Sequence, residues 1–348
     1  MRKVLYGNDS PLKLNYDQLA GLNNNRIRNQ EGPYLDKLVN LQVTHPGAPK
    51  RAMALMDVAS PKNAAILLKG SPNNRGAEVP RQFLEILSGP GRKPFEKGSG
   101  RLELAHSIAS KDNPLTARVF VNRVWNQHFG GAIVRTLSDF GVRAQDPSHP
   151  DLLDWLANYF VENGWSVKQL HRLIMLSNAY QQSSDEVPQF SAIDPNNLFF
   201  HRMNRRRMDF ESFRDNLLAI SGKLDLTQGG QSVSLTEEPF TYRRTVYGFI
   251  DRRNLAAIFR TFDFANPEAT VGERFNSTVP QQALFMMNSA FVADLARGLV
   301  NRTEFKGEVD DGRRIEAIYQ VAFQRSPDPI EVKLGTRFLE AASGIKTE

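Results

Sequence analysis

Between positions 117 and 128, the residues Ala117, Phe120, Val121, Val124, Trp125 and His128 fall at helical spacing and mark one buried stripe. Pro114 lies near the start of this stretch, where its missing N–H costs little, and Gly130-Gly131 ends it. Such a stripe commits the segment to a helix that must lie against other elements. The opposite side carries Arg118, Asn122 and Asn126 at i+4 spacing, with Arg123 alongside, and helix formation needs none of them.

The same periodicity dominates from residue 101 onward. A helix is expected over 150–163, with Leu152, Leu153, Leu156, Tyr159 and Phe160 inward and Gly164 just past its end. Ser166-Val167-Lys168-Gln169 has the form of a capping box and opens a helix with Leu170, Leu173, Ile174 and Ser177 on one side. The short connection predicts an antiparallel pair. A further helix over 210–221 has Phe210, Phe213, Leu217 and Ile220 on its core face. Thr278-Val279-Pro280-Gln281 is a second capping-box form leading into helices that run to about 301, and 313–324 and 329–342 form a last pair.

Strand signals are fewer. Residues 51–58 and 64–69 are strand-length apolar runs bounded by turn residues, and 70–76 reads as a polar loop. Residues 243–250 have the β-branched and aromatic content of a strand returning to the same sheet, with Gly248 weakening it. The expected fold class is therefore α+β, mainly helical: a multi-helix assembly with a small β-sheet. The expected division is a linker or peripheral segment over 1–48, holding one helical candidate near 16–22, then a β-containing segment over 49–100. A helical core with one returning strand over 101–302 and a truncated helical pair over 303–348 follow.

The chain has 348 residues and a formal net charge of +6, from 44 basic against 38 acidic side chains. So mild an excess, spread along the sequence, lacks the stripe or tail of a nucleic-acid binder, and nucleic acid is not an expected partner. With no cysteine, disulfides, thiol catalysis, thiolate metal sites and covalent haem attachment are excluded within these residues. No window reaches membrane-spanning length and no apolar run near the start has signal-peptide form, while the polar, turn-rich opening suits a fragment.

Several motifs occur in order: His45-Pro46-Gly47-Ala48-Pro49; Gly98-Ser99-Gly100-Arg101-Leu102-Glu103-Leu104-Ala105; Asn113-Pro114-Leu115-Thr116-Ala117-Arg118-Val119 with Asn122-Arg123-Val124-Trp125; and His128-Phe129-Gly130. After them come Ser138-Asp139-Phe140-Gly141, His149-Pro150 with Leu152-Leu153-Asp154-Trp155, Arg202-Met203-Asn204-Arg205-Arg206-Arg207, and Thr278-Val279-Pro280-Gln281-Gln282-Ala283-Leu284-Phe285. In these the chain resembles planctomycete-specific domain one, domain of unknown function 1553. The resemblance implies the C-terminal module of an exported, cytochrome-c-associated protein, at the periplasm or cell surface. Its partners would be upstream cytochrome-like and associated domains. Haem c would belong to such an upstream domain, so no cofactor is expected in this chain, and the resemblance supplies no catalytic residues.

Candidate sites each have a plain alternative. Arg118, Asn122 and Arg123 can bind an anion or clamp the helix to neighbouring loops. His128, on the apolar stripe, reads first as a satisfied core histidine. Glu211 and Asp215, one helical turn apart, are the candidates for an acid/base pair on a glycan, with His128 as a third. The plain reading is an ion-pair network with Arg205, Arg206 and Arg207, and Asp209 as the N-cap. Arg243 and Arg244, with Arg252 and Arg253, would form a positive cleft if they fold near Arg205–Arg207. The six histidines, His45, His106, His128, His149, His171 and His201, are too far apart in sequence for a metal helix, and no metal is expected. The function expected first is a binding or assembly domain for an anionic polysaccharide or partner domain. A glycan-directed hydrolase using Glu211 and Asp215 and a purely structural scaffold are the alternatives.

Overall fold

The computed structural model describes residues 54–305, 308 and 310–343, with scattered positions between 32 and 45. The helix expected near 16–22 lies outside the described residues, as does most of the 1–48 segment. The fold is mainly helical with one small antiparallel sheet. The chain divides into two compact units, Met1–Gln82 with Lys93–Leu104, and Phe83–Arg92 with Ala105–Glu348.

In the first unit, strand β1 (Ala64–Leu67) pairs with β2 (Arg75–Val79), setting Ala64 opposite Val79 and Ala65 opposite Glu78. The partner of β1 thus begins inside the loop expected over 70–76, whose last two residues, Arg75 and Gly76, are strand. Turn chemistry explains it. Lys69 and Gly70 both take positive φ, and Leu68 N donates to Asn74 O at 2.9 Å, so the chain reverses at once and brings Arg75 back onto β1. Of the strand expected over 51–58, residues 51–53 lie outside the described residues and 54–58 join no ladder; Asp57 instead accepts from Ser99 N at 2.8 Å and Arg101 Nη1 at 3.0 Å.

The second unit is helical and holds three apolar clusters. The largest joins α1 (Thr116–Phe129), α2 (Pro150–Glu162) and α3 (Val167–Met175) around Val121, Phe129, Ile133, Leu156, Phe160 and Leu170. Phe129 and Leu170 are fully buried, each contributing roughly 2–3 kcal/mol of hydrophobic stabilisation. Gly130 ends α1 at φ +66°, returning its N–H to Asn126 O at 2.8 Å, and Pro150 opens α2. Ser166 caps α3 by accepting from Gln169 N at 3.4 Å. The buried stripe of α1 departs from the expected one, and Phe120 is only part-buried. Phe129 closes the core face while His128 stays half-buried, and Asn122, expected on the polar side, is wholly inside. The chain after Gly130 folds back over that side of the helix, so α1 is covered on two faces.

Two further clusters surround α4 (Phe210–Ile220), which Asp209 caps by accepting from Ser212 N at 2.8 Å. Phe210 packs with Leu235 and Phe259, and Leu218 with Phe291 and Leu295 from α6 (Ala290–Val300). The deepest residues of α4 are Phe210, Arg214 and Leu218, with Phe213, Leu217 and Ile220 only part-buried. α5 (Pro280–Asn288) precedes α6, and Val279 rather than Thr278 is its N-cap, with Gln282 Oε1 accepting from Val279 N at 3.3 Å. Among the described residues no single helix is long and apolar enough to cross a membrane; α5 and α6 reach that length together but are bent by 56°. α7 (Asp311–Phe323) and α8 (Pro329–Ser343) approach closely where Gly335 faces Ile315.

The returning strand expected over 243–250 is a 3-10 turn, Thr245–Tyr247, flanked by single bridges pairing Asp225 with Arg243 and Val233 with Gly248. Asp215 is the reason. Its Oδ1 accepts from Thr245 N at 2.7 Å and Thr245 Oγ1 at 2.6 Å, taking the N–H that a ladder would need.

Candidate functional site

Of the arginines singled out in the sequence, Arg118, Arg206, Arg207, Arg243 and Arg244 are held by separate acceptors. Arg118 reaches Asp154 Oδ1 at 2.6 Å and Pro114 O at 2.7 Å; the hydrogen bond to Asp154 raises its pKa and lowers that of Asp154. Arg123 is exposed on α1. Arg205 is exposed, with Asp185 at 3.8 Å. Arg206 donates to Gln127 O in the last turn of α1, and Arg207 to Ser277 O and to Thr278 Oγ1 at 3.4 Å. Arg243 lies over the Tyr247 ring at 4.1 Å and holds the carbonyls of Thr227, Gly229 and Gln231. Arg244 meets Asp215 at 3.4 Å. The pattern pins loops and helix ends, since a guanidinium offers several donors in a rigid fork.

The acidic candidates are engaged as well. Glu211 accepts two bonds from Arg274, at 2.7 and 2.9 Å, which raises the arginine's pKa. Asp215 serves Thr245 and Arg244. His128 Nε2 lies 2.7 Å from His171 Nδ1, and the Tyr180 ring meets His128 edge-on at 5.4 Å. Burial first, then the charges of His171 and Arg206, push His128 below its ordinary value. Asn122 is bonded at both ends of its amide to the backbone of Val134.

What α4 and its neighbours do enclose is a cavity of about 270 Å³. Its wall includes Phe210, Phe213, Leu217, Phe240, Phe285 and Phe291; Thr236 and Ser289 add hydroxyls, and Arg214 is the one charged residue among those that line it. The aromatic rings arrive from α4, from the loop before the Thr245 turn, from α5 and from the start of α6, so no single stretch of sequence announces the site. Phe213 and Leu217 are available to it because they are the part-buried residues of α4.

Arg214 is 2% exposed. Its Nη1 donates to Arg243 O at 3.0 Å and Thr245 Oγ1 at 3.2 Å, its Nη2 to Thr241 O at 2.6 Å, and its guanidinium lies 5.0 Å from the Phe291 ring centre. Thr245 Oγ1 passes its own proton toward Asp215, linking the two charges through one hydroxyl. Nε has no acceptor among the described residues. Burial lowers the pKa of Arg214, and the neighbouring Asp215 charge restores part of the loss. Sequence reasoning missed this residue as a site. An arginine between Glu211 and Asp215 has the signature of a surface ion pair, and its inward setting follows from rings contributed some 70 residues later in the chain.

Among the described residues no three His, Asp or Glu side chains gather as a metal-binding group. The residues present do not fit a covalently held c-type haem, which needs cysteines that the chain lacks.

A family model described as PSD1: Protein of unknown function (DUF1553) matches residues 100–339. No curated protein and no solved structure matches the chain.

Proposed function

The chain belongs to the PSD1 family of proteins of unknown function (DUF1553), and from that premise we propose that it is a binding module whose ligand enters the cavity beside α4. The observation that carries this reading is the cavity itself: about 270 Å³, walled by aromatic and aliphatic side chains, with one buried guanidinium. Small-molecule sites have this composition, an apolar wall with a few fixed polar groups. Arg118, Arg206, Arg207, Arg243 and Arg244 act within the fold, as staples on carbonyls and carboxylates. A surface for an anionic polysaccharide or an acidic partner domain would use the exposed Arg123, Arg205, Arg252 and Arg253. The motif resemblance supports a setting in an exported multidomain protein, beside an upstream cytochrome-like domain that would carry any haem.

The test is titration with N-phenyl-1-naphthylamine, a neutral fluorophore that brightens in apolar sites. Saturable binding at one site per chain is expected, weakened tenfold or more in Ala256→Phe, which fills the cavity. Absence of saturable binding, or equal binding by the filled variant, would sink the reading. Charge reversal at Arg123 and Arg205, with salt-dependent binding to sulfated glycans as readout, tests the surface separately.

A further inference from the structure

Resting on the cavity as the ligand site, we infer that its ligand is an amphipathic monocarboxylate, a medium-chain alkyl or aryl-alkyl acid whose carboxylate pairs with Arg214. Three observations carry this.

The first is charge. A guanidinium out of water demands a counter-charge close by. Arg214 touches only neutral oxygens, those of Thr241, Arg243 and Thr245. Its nearest acidic neighbour, Asp215, is already shared between Thr245 and Arg244. Among the described residues no carboxylate makes a direct ion pair with Arg214, although Arg118, Arg244, Arg274, Arg302 and Arg325 each have one. The lack of a direct ion pair and the cavity meet at the same side chain, since Asp215 reaches Arg214 only through the Thr245 hydroxyl.

The second is donor count. A guanidinium carries five N–H groups, and Arg214 uses three, two on Nη1 and one on Nη2. That leaves the Nε–H, buried and without an acceptor, and one Nη2–H on the adjacent nitrogen. Two donors on neighbouring nitrogens match the two oxygens of one carboxylate. A phosphate dianion would need further donors, and the cavity's only other polar side chains are Thr236 and Ser289.

The third is the remainder of the wall. Five phenylalanines and Leu217, Leu235 and Ile258 leave no partners for a run of hydroxyls. A sugar buried there would lose its hydrogen bonds to water without replacement. An alkyl chain or aromatic ring gains instead, because its apolar surface leaves water. The ligand is therefore anionic at one end and apolar along its length.

Calorimetric titration of the full chain with decanoate and with 1-decanol tests this. Decanoate is expected to bind about tenfold or more tightly than the alcohol, with the preference retained at high salt because the pair is buried. Equal affinity for acid and alcohol would overturn the carboxylate while leaving the cavity as a ligand site. Binding of neither would overturn the cavity reading and this inference with it, and a preference that salt abolishes would move the acid to a surface arginine and overturn the inference too. In Arg214→Gln, shown to be folded by circular dichroism, decanoate affinity should fall to that of the alcohol while the alcohol's own is kept. If that variant does not fold, the comparison on the unaltered protein decides.

Discussion

Asn122 and Val134 exchange two hydrogen bonds inside the largest core: the Asn122 Nδ2 donates to Val134 O at 2.8 Å, and Val134 N donates to Asn122 Oδ1 at 2.9 Å. The side chain thus mimics a strand partner for a stretch of backbone that has none. Asn122→Leu would leave a buried N–H and a buried C=O unpaired, at about 1–3 kcal/mol each. The variant should be less stable by roughly 3 kcal/mol, read as a lower urea midpoint with an unchanged slope. A midpoint equal to that of the unaltered protein would remove the clamp from the list of what holds α1.

Glu211 and Asp215, one turn apart on α4, should separate by stability. Glu211 and Arg274 are each about a third exposed, so Glu211→Gln should lower stability by about 1 kcal/mol or less. Asp215 is 19% exposed and accepts from Thr245 N, Thr245 Oγ1 and Arg244, so Asp215→Asn should cost more, about 2 kcal/mol. The same change removes the charge that partly offsets Arg214. Decanoate affinity should then rise or hold in Asp215→Asn, and a loss of affinity larger than the loss of stability would assign Asp215 a direct part in binding.

The His128–His171 contact sets a pH dependence. His128 titrates below its ordinary 6.5, pushed down first by burial and then by the charges of His171 and Arg206. The unfolded chain therefore binds the proton more readily than the folded one, and stability rises with pH across the gap. The contribution is complete above pH 6.5 and is lost as the pH falls from there through the folded value of His128. Urea midpoints measured from about pH 7.5 to about pH 5 should decline, and the decline should be shallower in His128→Gln. Identical slopes in the two proteins would show that other groups govern the dependence.

How far the sequence disclosed this arrangement depends on the range of the signal. Helices α1 to α4, α7 and α8 follow from apolar spacing and caps carried within each segment, and they lie where the spacing puts them. The stripe of α1 was legible, yet Asn122 was not, because its burial is imposed by Val134 across a loop. Arg214 failed for the same reason on a larger scale. Its spacing from Glu211 and Asp215 describes a surface ion pair, while Phe240, Phe285 and Phe291 come from segments with no periodic relation to α4. The Thr245 turn shows the limit of β-propensity: branched and aromatic residues favour a ladder only if the backbone N–H is free, and Asp215 had taken it.

Gly298 tests helix packing against intrinsic propensity. It lies inside α6, where alanine would by itself be favoured by about 1 kcal/mol. A Cβ there would stand 3.0 Å from Ser221 O and 2.9 Å from Lys223 Cε. The Ser221 carbonyl belongs to the backbone at the end of α4. Lys223 is held by Asp294 at 2.7 Å, a hydrogen bond that raises its pKa. Neither neighbour can yield freely, and overpacking of this kind costs about 1–3 kcal/mol. The net expectation for Gly298→Ala is a loss of roughly 1 kcal/mol, and a raised thermal midpoint would show that α6 has room to shift.

Arg205 and Arg206 are adjacent in sequence and should behave oppositely. Arg205 is 75% exposed and its nearest carboxylate, Asp185, is 84% exposed at 3.8 Å, a separation and setting in which water screens nearly all the attraction. Arg206 donates to Gln127 O, in the turn of α1 that ends at Gly130, and its side chain lies against that glycine, so that a Cβ at Gly130 would be 3.3 Å from Arg206 Cδ. A cation at the carboxyl end of a helix satisfies a carbonyl that has no partner within the helix and meets the negative end of the helix dipole. Arg205→Gln should therefore leave the urea midpoint unchanged, whereas Arg206→Gln should lower stability by about 1 kcal/mol. Arg206→Gln should also raise the pKa of His128, on which the Arg206 charge acts, and so reduce the acid sensitivity predicted for the histidine pair. An equal effect of the two substitutions would mean that general surface charge, and not the contact at the end of α1, is what Arg206 contributes.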